Sequence, residues 1–186
     1  MLFSDLAFAV EPGELMLLAG PNGSGKSSLM RAMAGLLPLE AGEFRWGEAP
    51  AGEGYSGFLS YLGHADACKP TLTVAENLGF HADLVGKTDA ISAALEQVGL
   101  GKMPNRPGRQ LSSGQRRRLS LARVIVAARP LWLLDEPTVG LDQDGRAVVA
   151  DLLRAHLAAG GLAIVATHQD LGVPAARSLN PADFKS

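Results

Sequence analysis

The stretch that most constrains this chain lies near its start. Gly20-Pro21-Asn22-Gly23-Ser24-Gly25-Lys26-Ser27 fits the spacing G-x-x-x-x-G-K-[ST], the P-loop. It follows the apolar run Leu15–Ala19 and precedes a helical spacing over Lys26–Leu37. The loop therefore sits between a buried strand and a helix, a context that a chance glycine-rich turn would lack. Glycines let the backbone wrap N–H groups around phosphate oxygens, and the helix behind them aims its positive dipole end at the same point. On this reading Gly20 through Ser28 form the cradle. Lys26 reaches the outer phosphates and the Ser27 hydroxyl binds Mg2+. Strands that alternate with helices around such a loop give an α/β fold with a mostly parallel sheet.

The remaining pattern extends that fold. Gly42–Trp46 and Leu59–Leu62 read as strands, with Trp46 and Tyr61 at half-buried positions. Thr73–Leu84 and Asp89–Val98 read as helices; Thr73 and Glu76 form a capping box, Asp89 is the second N-cap and Gly99 the stop. Arg116–Ala128 is a helix, Leu131–Leu134 a strand, Asp144–Ala159 a helix and Leu162–Thr167 a last strand. The tail after Gly172 carries Pro174 and Pro181 and reads as irregular. The expected organisation is one domain over 1–186, with a core from 1–64 and 116–186 and a helical subdomain over 65–115.

Composition narrows the partners. Hydrophobic residues make up 47% of the 186 and charged residues 19%, which excludes general disorder. A net charge of −2 argues against a globally basic nucleic-acid binder. The charge is uneven: residues 1–93 hold 5 basic and 11 acidic groups, residues 94–186 hold 12 and 8. Much of the basic excess lies between Arg106 and Arg129, as a solvated helix face or a surface for phosphate. The single cysteine, Cys68, cannot make an intrachain disulfide and suits a reducing compartment. No window offers the ~20 apolar residues of a membrane span.

A second set of residues completes a phosphate site. Asp135 ends an apolar strand, where a carboxylate can hold Mg2+, and Glu136 follows as base or water-polarising group. These features alone leave GTPases, kinases, helicases and transport ATPases open. Asp142-x-x-Gly145 imitates a GTPase element, but no Asn-Lys-x-Asp segment for guanine accompanies it.

Leu111-Ser112-Ser113-Gly114-Gln115, followed by Arg116-Arg117-Arg118, resembles the Leu-Ser-Gly-Gly-Gln signature of ABC-type ATPases, with Ser113 in place of glycine. An N-capping Ser-Ser ahead of an Arg-rich helix is the plainer reading of those residues. Gly140-Leu141-Asp142 resembles the family's D-loop and Thr167-His168 its switch histidine. Leu59 to His64 resembles the Q-loop, with His64 at the usual glutamine.

The resemblance covers nearly the whole chain. It implies a P-loop NTPase core with a small N-terminal antiparallel β subdomain and a helical subdomain carrying the signature. It implies Mg2+-dependent ATP hydrolysis, with ATP and Mg2+ as cofactors and Lys26, Glu136 and His168 as catalytic residues. Ser112, Gly114, Gln115 and Asp142 would meet nucleotide across a head-to-tail homodimer, and Ser27, Asp135 and His64 would stand around the metal. The partners implied are integral membrane subunits, docked near Leu72 and Phe80, with no nucleic acid. The place implied is the cytoplasmic face of the inner membrane, as a peripheral subunit.

Tyr61-Leu62-Gly63-His64, Lys69 and Leu72–Leu78 are similar to the ATP-binding subunits of bacterial cytochrome c biogenesis systems, of the haem-exporter type. His64 and Cys68 do not complete a metal or haem site. The alternatives are the ATPase of another ABC transporter, a non-transport ABC ATPase, and a small-molecule P-loop kinase. ABC ATPases place a first strand and an adenine-stacking aromatic before the segment that here begins near Met1. Phe3 is present, and Phe8 belongs to an apolar strand over Leu6–Val10. The chain is thus expected to be short at its N-terminal edge and to discriminate adenine weakly.

Overall fold

A computed structural model of the chain describes residues 3–47, 49–50 and 55–184. The elements are β1 (Leu15–Leu18), α1 (Lys26–Met33), β2 (Arg45–Trp46), β3 (Ala49–Pro50), β4 (Leu59–Leu62), α2 (Val74–Leu84), α3 (Ile91–Gln97), α4 (Ser113–Ala127), β5 (Leu131–Asp135), α5 (Gln143–Ala158), β6 (Leu162–Ala166) and β7 (Arg177–Leu179). Five strands form one parallel sheet in the order β4-β5-β6-β1-β7. Antiparallel pairing among the described residues is confined to the short hairpin of β2 and β3 and an isolated bridge between Thr73 and Pro107.

Parallel strands buried on both faces read as continuous apolar runs, and their side chains alternate between two cores. Leu15, Trp132, Leu134, Ala163 and Val165 join the core shared with α2, α3, α4 and α5. Met16, Leu18, Leu131, Leu133, Leu162 and Ile164 join the core under α1. The first core runs unbroken from the helical segment into the sheet, through Leu78, Leu95, Leu119 and Leu134.

Several expectations need correction. The first helix stops at Met33 rather than Leu37, because Gly35 turns left-handed at φ 72° and Leu36 N–H bonds back to Arg31 O. Gly42–Trp46 is a strand only at Arg45–Trp46. Leu6, Phe8 and Val10 lie against the second core, yet no ladder forms over Leu6–Val10 among the described residues. Asp89 does not cap α3; it lies in a 3-10 turn over Thr88–Ala90, and the cap position falls on Ala90. The tail is not wholly irregular, since β7 adds a fifth strand beside β1. That strand has one apolar residue in three and takes its order from backbone pairing to β1 and from Arg177 against Glu14 at 3.0 Å. The Thr73–Glu76 capping box forms as expected.

The basic run between Arg106 and Arg129 is neither a simple solvated face nor a phosphate surface where it enters α4. Arg116, Arg117, Arg118 and Arg123 each donate to backbone carbonyls, of Leu111, Gly63, Val98 and Asp66 among others.

One half-buried histidine makes stability depend on pH. The His156 ring stacks on Trp132, with centroids 3.8 Å apart, and its Nε2 lies 3.1 Å from the carbonyls of both Pro130 and Leu162. The neutral ring with a proton on Nε2 satisfies both acceptors. Burial holds its pKa below the ordinary 6.5, outweighing the two backbone acceptors. The unfolded chain therefore takes up this proton first as pH falls. The contribution is full above the unfolded pKa and is lost as pH falls through the folded one. Urea midpoints should drop from about pH 7.5 to about pH 5 more steeply in the parent than in His156→Phe. Equal slopes would contradict this role.

Candidate active site

In a parallel sheet the loops that follow the strands gather at one edge, and ligands bind there. The register puts the ends of β1, β6, β5 and β4 side by side: Leu18 opposite Ala166, Asp135 opposite Ala166, and Leu62 opposite Leu134. Four of the predicted groups follow from those ends: the loop from Gly20, His168, Asp135 with Glu136, and His64.

The glycine-rich loop begins two residues after β1. Gly25 is the N-cap of α1 at φ 99°, a conformation glycine adopts without strain, and a Cβ there would overlap the Phe3 ring. Phe3 thus packs directly on the loop. Lys26 and Ser27 open the helix, Ser27 exposed and Lys26 buried. Lys26 Nζ donates to Gly20 O at 2.7 Å and Pro21 O at 3.0 Å, which folds the side chain back over the loop. Ser24 Oγ is buried without a hydrogen-bond partner.

His168 joins three segments. Its Nε2 lies 2.9 Å from Asn22 Oδ1, 3.5 Å from Lys26 Nζ and 3.6 Å from Glu136 Oε1. The two loop residues are 146 and 142 positions away in sequence. A histidine after an apolar strand is ordinarily structural; here its ring stands among a lysine, an amide oxygen and a carboxylate.

Asp135 is buried at the end of β5, and no described side chain hydrogen-bonds its carboxylate. Its negative charge helps burial to push the Tyr61 hydroxyl pKa up. Glu136 has φ 49°, a rare conformation for a residue with a side chain, and its N–H donates to Ala166 O at 2.7 Å. Ser27 and Asp135 are oxygen donors of the kind Mg2+ takes, so the residues fit that ion.

The signature stretch lies at the start of α4. Ser112 is the N-cap, its Oγ accepting from Gln115 N–H at 3.1 Å while its own N–H donates to Gln115 Oε1 at 3.0 Å. The capping reading of these residues therefore holds within this chain. Gly114 passes close to the next loop: a Cβ would come to 3.0 Å from Gly140 O. Asp142 caps α5 by accepting from Gly145 N–H at 2.8 Å, which explains the GTPase-like Asp-x-x-Gly spacing as an N-cap. His64 shares a cavity of about 180 Å3 with Asp66, Ser113, Arg117, Glu136, Val139 and Gly140. Cys68 is half-buried, and burial pushes its thiol pKa up, away from the thiolate that ligates metals. Phe80 is exposed on α2 with Lys69 Nζ 4.4 Å above its ring.

Sequence reasoning missed one contributor, Arg117, which was hidden in a basic run. It placed Asn22 in the phosphate cradle but did not foresee its contact with His168.

Comparisons with known proteins bear on the family and the fold. The ABC transporter family model matches residues 3–139. The cytochrome c biogenesis ATP-binding export protein CcmA of Paracoccus denitrificans is 48% identical over 97% of this chain and 82% of its own length. The protein of the same name from Ruegeria pomeroyi is 49% identical over 91% of this chain and 79% of its own. Among solved structures, an ABC transporter ATP-binding protein from Pyrococcus furiosus superposes with a TM-score of 0.86 at 24% identity, covering 99% of this chain and 92% of the other. That likeness concerns the fold.

Proposed function

The chain belongs to the ABC transporter family, as an ATP-binding ATPase domain, and from that premise we propose that it powers a membrane export system of the cytochrome c biogenesis, haem-exporter type. The observation that carries the catalytic part is the single His168 nitrogen within 3.6 Å of Asn22, Lys26 and Glu136. Identity of 48% to a cytochrome c biogenesis export protein supports the choice of system.

In this reading 1–186 is one domain, and 65–115 is its helical subdomain. The backbone N–H groups of Gly20–Ser28 bind the phosphates, Lys26 neutralises the outer ones, and His168 senses the last of them. Glu136 orients and polarises water for attack. Ser27 and Asp135 would hold Mg2+, which supplies charge neutralisation when bound; His64, a nitrogen donor, would reach it only through water. Ser112, Gly114, Gln115 and Asp142 would complete the site of a second copy in a head-to-tail homodimer. Catalysis is then positioning and charge stabilisation rather than covalent chemistry.

No helix among the described residues is long and apolar enough to cross a membrane. Transport would therefore run through integral membrane subunits docked near Leu72 and Phe80, with this chain peripheral on the cytoplasmic face of the inner membrane. A tagged chain purified from detergent-treated membranes should bring down integral membrane proteins. Recovery of ribosomes or DNA instead would favour a non-transport ATPase.

A further inference from the structure

We propose that Arg117 is a positioning residue for Glu136, holding the carboxylate in its working conformation from the first turns of α4. The inference rests on Glu136 being the residue that engages water.

Arg117 is 3% exposed, and few arginines are buried that fully unless paired; here both terminal nitrogens are paired and Nε is not. Its guanidinium meets two separate segments. One terminal nitrogen donates to Gly63 O at 2.8 Å and lies 3.3 Å from Asp66 Oδ1, in the loop after β4. The other donates to the carbonyls of Asp135 and of Glu136, the latter at 2.8 Å. Those two carbonyls flank the point where the chain leaves β5 and Glu136 turns to φ 49°. A residue with a side chain stays in that region only where its surroundings fix it. Arg117 supplies the fixing from one side, and the Glu136 N–H bond to Ala166 O supplies it from the other. Between them they leave the carboxylate 18% exposed and facing His168.

The same helix face grips the β4 loop again. Ser120 Oγ donates to Asp66 O at 2.7 Å, and Arg123 donates to Asp66 O at 2.7 Å and to Ala67 O at 3.1 Å. Arg117, Ser120 and Arg123 are spaced at three-residue intervals, so they share one side of α4. Movement of α4 relative to the sheet would act on the β4 loop through all three residues, and on Glu136 through Arg117. A lysine could reach one of the carbonyls but could not span the set as a planar fork does.

The test uses the full chain with Arg117→Gln and Arg117→Lys, alone and combined with Glu136→Gln. Two readouts separate positioning from general support. In Arg117→Gln the ATP KM should stay within about threefold while kcat falls by about tenfold or more, with little further loss on the Glu136→Gln background. By NMR, exchange of the Glu136 amide should quicken at least about tenfold relative to the Leu133 and Leu134 amides. If Arg117→Gln does not fold, the same readings are taken on Arg117→Lys. Parent kcat in a folded variant overturns the proposal, as does a loss that adds fully to that of Glu136→Gln, or exchange that quickens along all of β5. Should Glu136→Gln itself hydrolyse ATP at the parent rate, the role of Glu136 fails instead, which is a distinct result.

Discussion

Glu136→Gln should bind ATP as the parent does and hydrolyse it about 10²–10⁴ times more slowly, the usual cost of losing a general base. The substitution keeps the size of the side chain and its capacity to meet His168 Nε2, now 3.6 Å from Glu136 Oε1. What it removes is the negative charge and the proton acceptor. The backbone at φ 49° stays as it is, because its bonds to Ala166 and Arg117 do not involve the carboxylate. The loss should therefore appear in kcat and leave the binding constant nearly unchanged. Phosphate release at saturating ATP, with nucleotide binding followed by equilibrium dialysis, separates the two. Turnover at the parent rate would remove Glu136 from the chemistry.

Lys26→Ala should fail earlier, at binding. The buried Nζ is held over the loop by Gly20 O and Pro21 O and stands 3.5 Å from His168 Nε2. Phosphates would exchange those carbonyls for charge-assisted bonds, each worth roughly 1.5–3 kcal/mol. Two such bonds amount to at least about 10² in ATP affinity by the usual relation of 1.4 kcal/mol per decade. The alanine chain should keep its fold, since Lys26 bonds only to its own loop and the histidine. Dialysis against labelled ATP gives the affinity; an unchanged dissociation constant would show that the loop amides alone hold the nucleotide.

The two variants thus part binding from hydrolysis, and the sequence foretold both residues for the same reason. Each follows an apolar strand run that is hard to mistake: Leu15–Leu18 ahead of the loop and Leu131–Leu134 ahead of Asp135 and Glu136. Thr167 and His168 were legible in the same way behind Leu162–Ala166. Where the apolar signal is weak, the sequence says little. β7 is an edge strand of Arg177, Ser178 and Leu179, ordered by pairing rather than by burial. The Leu6–Val10 alternation reflects one face lying on the second core, which a chain can achieve without a ladder. Asp89 looked like a cap because its side chain suits one, but the 3-10 turn leaves it one residue before the cap position at Ala90.

Arg117 illustrates a different gap. Three consecutive arginines read as charge, whereas their partners are carbonyl oxygens brought in from Gly63, Asp135 and Glu136, which no spacing rule reveals. Ser112, Gln115 and Asp142 carry two readings, of which the structure holds the capping one. Within this chain they cap α4 and α5. Facing a second copy, those same helix starts would present N–H groups to phosphate.

The most direct measurement follows ATP binding and phosphate release on one sample of the Glu136→Gln chain, with Lys26→Ala treated alongside. If loop, carboxylate and histidine form a single hydrolytic site, the glutamine chain holds ATP and leaves it intact, and the alanine chain holds little. Phosphate released at the parent rate by the glutamine chain would contradict that site.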